Sequence, residues 1–178
     1  MKRMSCLLLT LLLLLSACAS QRPQPQNPVA FFYPVNAIYT QDFTDGPNGR
    51  SSPVIRAEPG ESSGHEGDYR YLLNLYFRGP WSKKLHNPFP AGLTVVDFRT
   101  PNNTAVLKVS KEYGTLSGID LTLASACIAK TVQALTGCER LQLSAVDCTL
   151  EGTSHLFIDC SELLEKDLFV EPEPATEP

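Results

Sequence analysis

The first seventeen residues constrain this chain most, because they decide in which compartment the rest of it folds. Lys2 and Arg3 precede an apolar run from Cys6 to Leu15, and the small residues Ser16 and Ala17 follow the run. A cationic start, a short apolar segment and small residues before the cleavage point are typical of an export signal. As a helix the run is about 15 Å long, whereas the hydrocarbon core of a bilayer is about 30 Å thick. The pattern therefore predicts an exported chain rather than a transmembrane anchor.

The residue after this signal is a cysteine, in the sequence Leu15-Ser16-Ala17-Cys18. This segment resembles the lipobox of bacterial lipoproteins, in which the signal is cut before the cysteine. The resemblance implies that the Cys18 thiol carries a diacylglycerol and that the new amino terminus is acylated. The protein would then be held at the outer face of the cytoplasmic membrane by two or three acyl chains, which suffice where one gives marginal binding. The alternative is an ordinary secretory signal that happens to end in a cysteine.

The predicted mature chain is acidic. Cleavage removes 17 of the 178 residues, including Lys2 and Arg3, so the formal net charge changes from −4 to about −6. Acidic, unclustered charge argues against nucleic-acid binding and against electrostatic attraction to anionic lipid. The expected partners are therefore the membrane, through the lipid anchor, and an envelope protein or a second copy of the chain.

Composition divides the chain into four parts. Residues 1–17 are the predicted signal, and residues 18–28 are the lipidated cysteine with a Pro- and Gln-rich tether that cannot form a core. Residues 29–169 are long enough for one domain with a core. Residues 170–178 are predicted to be a disordered acidic tail.

Two segments of the domain carry the signals of amphipathic helices. Ser63-Gly64-His65-Glu66 predicts a capping box before the first helix, and Arg78-Gly79-Pro80 predicts its end. Ser117-Gly118-Ile119-Asp120 predicts a second capping box, and Gly137 the end of the second helix. The apolar stripes are Tyr69, Leu72, Leu73, Tyr76 and Phe77 in the first helix, and Leu121, Ala124, Ile128, Val132 and Leu135 in the second.

The other regular segments alternate between apolar and polar residues, as strands do. Pro101-Asn102-Asn103 predicts a hairpin turn, and Ser161 to Phe169 predicts one or two helical turns. The resulting fold class is α+β, with two helices packed on one face of a mostly antiparallel sheet. The predicted strands are Val29 to Val35, Pro53 to Ala57, Leu93 to Phe98, Thr104 to Ser110, Arg140 to Val146 and His155 to Asp159.

From Leu72 to about Asp147 the chain resembles the GerMN domain of sporulation and spore-germination proteins. The order of several weak elements carries this resemblance. They are a Leu-rich helix running into Gly79-Pro80, the turn Pro90-Ala91-Gly92 before a strand, the returning strand Ala105 to Ser110, the helical Leu121-Thr122-Leu123, and a strand ending at Val146-Asp147. The chain departs from the family at Lys108, where an acidic residue is common, and in its four cysteines.

The GerMN resemblance implies a fold like the ring-building motifs of secretion and sporulation assemblies. It also implies a non-enzymatic extracytoplasmic module that binds a ligand or neighbouring subunits of an envelope complex. Composition and periodicity do not themselves indicate this function.

Four cysteines follow the tether: Cys127, Cys138, Cys148 and Cys160. Disulfides can form outside the cytoplasm, and four cysteines allow three pairings. Cys127 and Cys138 are expected to lie too far apart along the second helix, so a bond from Cys160 to Cys138 or to Cys127 is easier. The alternative is that all four are small buried apolar residues.

No motif predicts catalysis. His65-Glu66 lacks a second histidine four residues later, and no nucleophile elbow, phosphate loop or calcium loop is present. We therefore expect no catalytic residue, no metal and no cofactor. An envelope hydrolase is correspondingly disfavoured.

The leading expectation is a lipid-anchored interaction module that binds through an exposed sheet or loop face. The alternative is a receptor for a cell-wall fragment or germinant, with a pocket formed near Trp81 and Phe89. Against this alternative, Trp81 and Phe89 can instead fasten the loop that follows the first helix.

Overall fold

The computed structural model describes residues 25–36, 52, 53, 55–161, 163, 169 and 170. The predicted signal, Cys18, most of the tether and residues 171–178 of the tail lie outside these residues, as does most of the predicted helical segment 161–169. Phe169 and Val170 are extended, in a short strand, and not helical or disordered as predicted. The described residues form two α-helices, α1 (Tyr69–Tyr76) and α2 (Gly118–Thr136), and two short 3-10 helices, Pro101–Asn103 and Lys111–Thr115. Their strands are β1 (Pro28–Pro34), β2 (Ser52–Pro53), β3 (Ile55–Glu61), β4 (Val95–Arg99), β5 (Thr104–Val109), β6 (Arg140–Ala145), β7 (Leu156–Asp159) and β8 (Phe169–Val170).

The main sheet has four strands in the order β4-β5-β6-β7. β4 and β5 form the predicted hairpin, and β6 and β7 form a second antiparallel pair. β5 and β6 are parallel and are connected through α2. Two further antiparallel pairs, β1 with β3 and β2 with β8, complete the described strands. The α+β class is therefore confirmed, with one parallel pair in a mostly antiparallel arrangement.

Alternation of side chains gives the main sheet one buried and one open face. In β5 and β6 every second side chain is buried: Ala105, Leu107, Val109, Leu141, Leu143 and Ala145. α2 packs against β6 and β1, and α1 packs against β4. One core joins these elements, because buried residues of β1, both helices and the main sheet belong to a single apolar cluster.

The stripe of α1 is correctly predicted, but its start is not. Leu72, Leu73 and Tyr76 are buried, as predicted. The helix begins at Tyr69, and the Asp68 carboxylate caps it by accepting the N–H of Tyr71 at 3.0 Å. Ser63 and Glu66 do not form the predicted capping box, because the Ser63 hydroxyl donates to Glu61 instead, at 2.6 Å.

Both ends of α2 are correctly predicted, whereas its capping contact is not. Ser117 is the N-cap residue, and Gly137 ends the helix in the left-handed conformation at φ 73°. The Ser117 side chain makes no capping hydrogen bond. The Gly118 N–H instead donates to Glu151 Oε1 at 2.7 Å, from the turn before β7.

Candidate functional site

Glu61, Ser62 and Glu66 attach the segment leading to the predicted anchor to the domain. The Asn27 carbonyl accepts the N–H and the hydroxyl of Ser62, and the Asn27 side-chain amide donates to Glu66 Oε1 at 2.8 Å. Glu61, the last residue of β3, accepts the N–H of Gln26 at 2.8 Å and that of Asn27 at 3.3 Å. It also accepts the hydroxyl and the N–H of Ser63. These hydrogen bonds, the one from the Ser63 hydroxyl first, lower the pKa of Glu61 from 4.5 to about 2. Glu61 therefore helps to fix where the chain leaves the domain towards Cys18.

The two aromatic residues proposed to line a ligand pocket have different environments. Phe89 is only 7% exposed and packs edge-on against Tyr76 and Phe77, with ring centroids 4.9 and 5.0 Å apart. The Trp81 side chain is 63% exposed, and the backbone N–H of Trp81 donates to Glu58 Oε2 at 2.8 Å. Phe89 is thus drawn into the core by apolar burial, while Glu58 holds the backbone at Trp81 against β3. The structure supports the fastening role for this loop.

A hollow of about 250 Å³ does adjoin Phe89, but Trp81 does not line it. Its walls come from residues 86–90 and from the start of α2. His86 and Asp120 are among the residues that line it. Its size is slightly below the range of about 300–1,000 Å³ that is usual for sites that enclose a drug-sized ligand.

The open face of the main sheet is a second candidate surface, which we call the outer face. It consists of the side chains that alternate with the buried ones: Thr104, Val106, Lys108, Arg140, Gln142, Ser144, Phe157 and Asp159. Phe157 is 76% exposed. A shallow hollow of about 320 Å³ lies beside its ring and is bordered by Thr104, Arg140 and Asp159. An aromatic ring exposed beside an arginine is of the residue type that anchors protein interfaces.

The three histidines are separated within the fold. His65 stacks on Tyr71 with ring centroids 3.5 Å apart, and the backbone N–H of His86 donates to the carbonyl of Pro34. His155 Nδ1 lies 2.7 Å from the Ser154 hydroxyl. Among the described residues, no group of three or more His, Cys, Asp or Glu side chains is arranged to hold a metal ion.

The cysteines of the domain are free thiols in this structure. Cys127 is buried in α2, and burial raises the pKa of its thiol well above the usual range. Cys138 and Cys160 are buried where the end of α2 meets the end of β7, and the N–H of Cys160 donates to the carbonyl of Glu139 at 2.7 Å. Burial raises the pKa of Cys160 to about 11, with smaller effects from Asp159 and Cys138. A Cys138–Cys160 disulfide stays a prediction.

Neither helix in the described part of the chain is long and apolar enough to cross a bilayer. No protein-family model matches the sequence, and no curated protein matches it. Among solved structures, the chain is similar to a candidate lipoprotein from Clostridium perfringens, with 14% sequence identity and a TM-score of 0.46. The match covers 76% of this chain and 88% of that one. Membership of the GerMN family therefore stays a prediction.

Proposed function

We propose that this chain is a bacterial lipoprotein of the outer face of the cytoplasmic membrane, anchored through Cys18. Its domain acts as a non-enzymatic, GerMN-like module that binds an envelope protein or a second copy of itself. The order of elements that resembles GerMN further favours work in a sporulation, germination or cell-envelope complex.

The lipobox Leu15-Ser16-Ala17-Cys18 is the observation that carries this proposal. The attachment of Gln26 to the domain gives further support to the proposal. Gln26, which Glu61 holds against the domain, lies eight positions after Cys18. A fully extended chain of that length reaches at most about 29 Å. Acyl chains on Cys18 would therefore keep the domain close to the bilayer and raise its effective concentration near partners in the same membrane.

The outer face supports the binding part of the proposal. Both helices pack on the buried face of the main sheet, whereas the outer face carries Phe157 beside Arg140 and Asp159. Aromatic and arginine side chains are the residue types most enriched at the centres of protein interfaces. A partner that covers Phe157 would remove its ring from water, and the charged rim would set the orientation of binding.

The direct test is Cys18→Ala in the full-length protein, with Cys148→Ala as the matched control in the domain. We expect the Cys18→Ala protein to leave the membrane fraction with an unchanged circular dichroism spectrum, and the control to remain in it. Mass spectrometry of the control should show an acylated amino-terminal cysteine. Retention of an unacylated Cys18→Ala protein in the membrane would refute the anchor.

The hollow beside Phe89 favours a second candidate, a small-ligand receptor. Thermal unfolding against a panel of amino acids and cell-wall fragments would test it. A receptor should show saturable stabilisation that is lost in Asp120→Asn, whereas Trp81→Ala should retain it because Trp81 does not line the hollow. Unfolding temperatures that no compound changes would rule out this candidate for the compounds tested.

A further inference from the structure

The outermost strand of the main sheet, β7, has an edge that pairs with no other described strand. Among the described strands, β7 pairs with β6 on one side only. In this pairing Gln142 is opposite Phe157, and Leu141 is opposite Ile158. Main-chain groups of an antiparallel strand point alternately to its two sides. The Cys160 N–H donates to Glu139 towards β6. By alternation, Leu156 and Ile158 also face β6, so the N–H and C=O of Phe157 face the open edge.

We propose that this edge of β7 binds β7 of a second copy of the chain, antiparallel, about a twofold axis at Phe157. The proposal deepens the function proposed above and rests on it for the membrane confinement that brings two copies together. In this register the N–H and C=O of Phe157 pair with those of Phe157 of the partner subunit. The two main sheets become one sheet of eight strands.

The sequence of β7 is complementary to itself in this register. On the outer face, the exposed ring of Phe157 meets Phe157 of the partner subunit, which covers both rings. On the buried face, Leu156 is opposite Ile158 of the partner subunit, and the reverse pair repeats the contact. At each end His155 is opposite Asp159 of the partner subunit. Within its own chain the Asp159 carboxylate also accepts the N–H and the hydroxyl of Ser161. A twofold interface requires such matching of a surface with itself.

The opposite edge of the sheet is less suited to pairing. β4 has a register irregularity between Val95 and Asp97, and an Asp97–Arg99 ion pair at 3.6 Å lies along it. Bulges and charges are devices that prevent edge-to-edge association. β7 shows neither device at Phe157. Because β7 has only four residues, we expect a weak dimer in dilute solution and a populated one on the membrane.

Cysteine crosslinking in the full-length protein tests the proposal. Phe157→Cys should give a disulfide-linked dimer on mild oxidation in membranes, since directly opposite residues of such a pair have Cα atoms about 5.5 Å apart. Gln142→Cys is the matched control: it lies beside Phe157 on the outer face, but the two copies would be three strand spacings, about 14 Å, apart. The wild-type protein controls for the native cysteines.

The register has its own test. His155→Cys and Asp159→Cys, expressed together, should crosslink to each other, whereas each alone should not crosslink to itself. Dimers from Gln142→Cys equal to those from Phe157→Cys would overturn the proposal. So would the absence of Phe157→Cys dimers in folded protein, both in membranes and at high concentration in detergent. Membrane content is measured in the same samples, so a failed anchor is distinguished from a failed dimer.

Discussion

Two tyrosines tie β1 to α1 by reciprocal hydrogen bonds in the core. The Tyr33 hydroxyl donates to the carbonyl of Tyr76, and the Tyr76 hydroxyl donates to the carbonyl of Phe32, both at 2.7 Å. Burial raises the pKa of Tyr76 well above its usual range, so the hydroxyl keeps its proton at any physiological pH. Each hydroxyl thus satisfies a carbonyl that lies away from water, and the pair fixes β1 on the helix.

Tyr76→Phe should lower the free energy of unfolding by about 1–3 kcal/mol, because the carbonyl of Phe32 then loses this hydrogen bond in the core. Tyr71→Phe is the control, since Tyr71 is exposed and its change should stay within about 0.5 kcal/mol. Urea unfolding followed by circular dichroism measures both. Equal effects of the two substitutions would mean that the buried bond contributes nothing of its own.

Glu61 should make the attachment of residues 26 and 27 sensitive to acid. Its pKa is lowered from 4.5 to about 2 in the folded protein, so its contribution is complete above about pH 4.5 and is lost as the pH falls towards 2. Glu61→Gln should loosen these residues at neutral pH as well. Amide exchange at Gln26, Asn27 and Ser63 should rise in the variant and not in Glu139→Gln, an exposed control. Unchanged exchange would show that the carboxylate does not hold this segment.

At the level of elements, local patterns predicted which segments are helical and which are extended. The stripes of both helices, the Gly137 stop and the hairpin at Pro101-Asn102-Asn103 depend on neighbours within a few residues, and all are confirmed. The predicted capping contacts were wrong because other carboxylates compete for the hydrogen-bond donors at these positions. Glu61 takes the Ser63 hydroxyl, and Glu151 reaches Gly118 from 33 residues away. The first of these contacts is local but competes with the predicted cap, and the second cannot be read from local spacing.

The corrected start of α1 leads to a direct comparison of two carboxylates. Asp68→Ala should cost about 1 kcal/mol of stability, the usual effect of removing a capping side chain. Glu66→Ala should cost less, because Glu66 is bonded to the Asn27 side chain and does not cap the helix. Thermal unfolding of the two variants at neutral pH measures the difference. A larger loss for Glu66→Ala would favour the capping box predicted from the sequence.

The ends of α2 and β7 are where we expect the disulfide between Cys138 and Cys160 to form after export. A loop of this length predicts about 3 kcal/mol of added stability in the oxidised protein. Because the pKa of Cys160 is about 11, little thiolate exists at neutral pH, and the rate of oxidation should rise with pH up to that value. Peptide mapping without reductant identifies the pair. Cys138→Ser should abolish the bond, and Cys148→Ser should leave it in place; a Cys127–Cys160 bond would contradict the pairing.

For the whole molecule, the sequence predicted the fold class better than the candidate site. The outer face brings together residues from β5, β6 and β7 that are up to 55 positions apart, such as Thr104 and Asp159. Which of them are neighbours depends on the parallel register of β5 with β6, a long-range pairing that turn residues do not encode. A pocket near Trp81 and Phe89 was the alternative prediction, and of these two residues only Phe89 lines the hollow.

The β1–β3 pair and the main sheet should unfold together, because β1 contributes to the same core as the main sheet. Phe31 is buried in that core, and the N–H of its neighbour Phe32 donates to Thr131 of α2 at 2.9 Å. Phe31→Ala should therefore cost about 3–5 kcal/mol. The Phe32 side chain lies on the other side of β1, half-buried beside Lys130, so Phe32→Ala should cost clearly less.

Cooperativity can be tested with the single tryptophan of the chain. Trp81 reports on the loop held against β3, whereas far-ultraviolet circular dichroism reports mainly on α2. If β1, β3 and the main sheet form one unit, both signals should follow one transition in wild type and in Phe31→Ala, with the midpoint lowered equally for both. A tryptophan transition that moves alone would mean that the β1–β3 pair unfolds as a separate unit. The membrane-side attachment at Glu61 would then report on that pair and not on the whole domain.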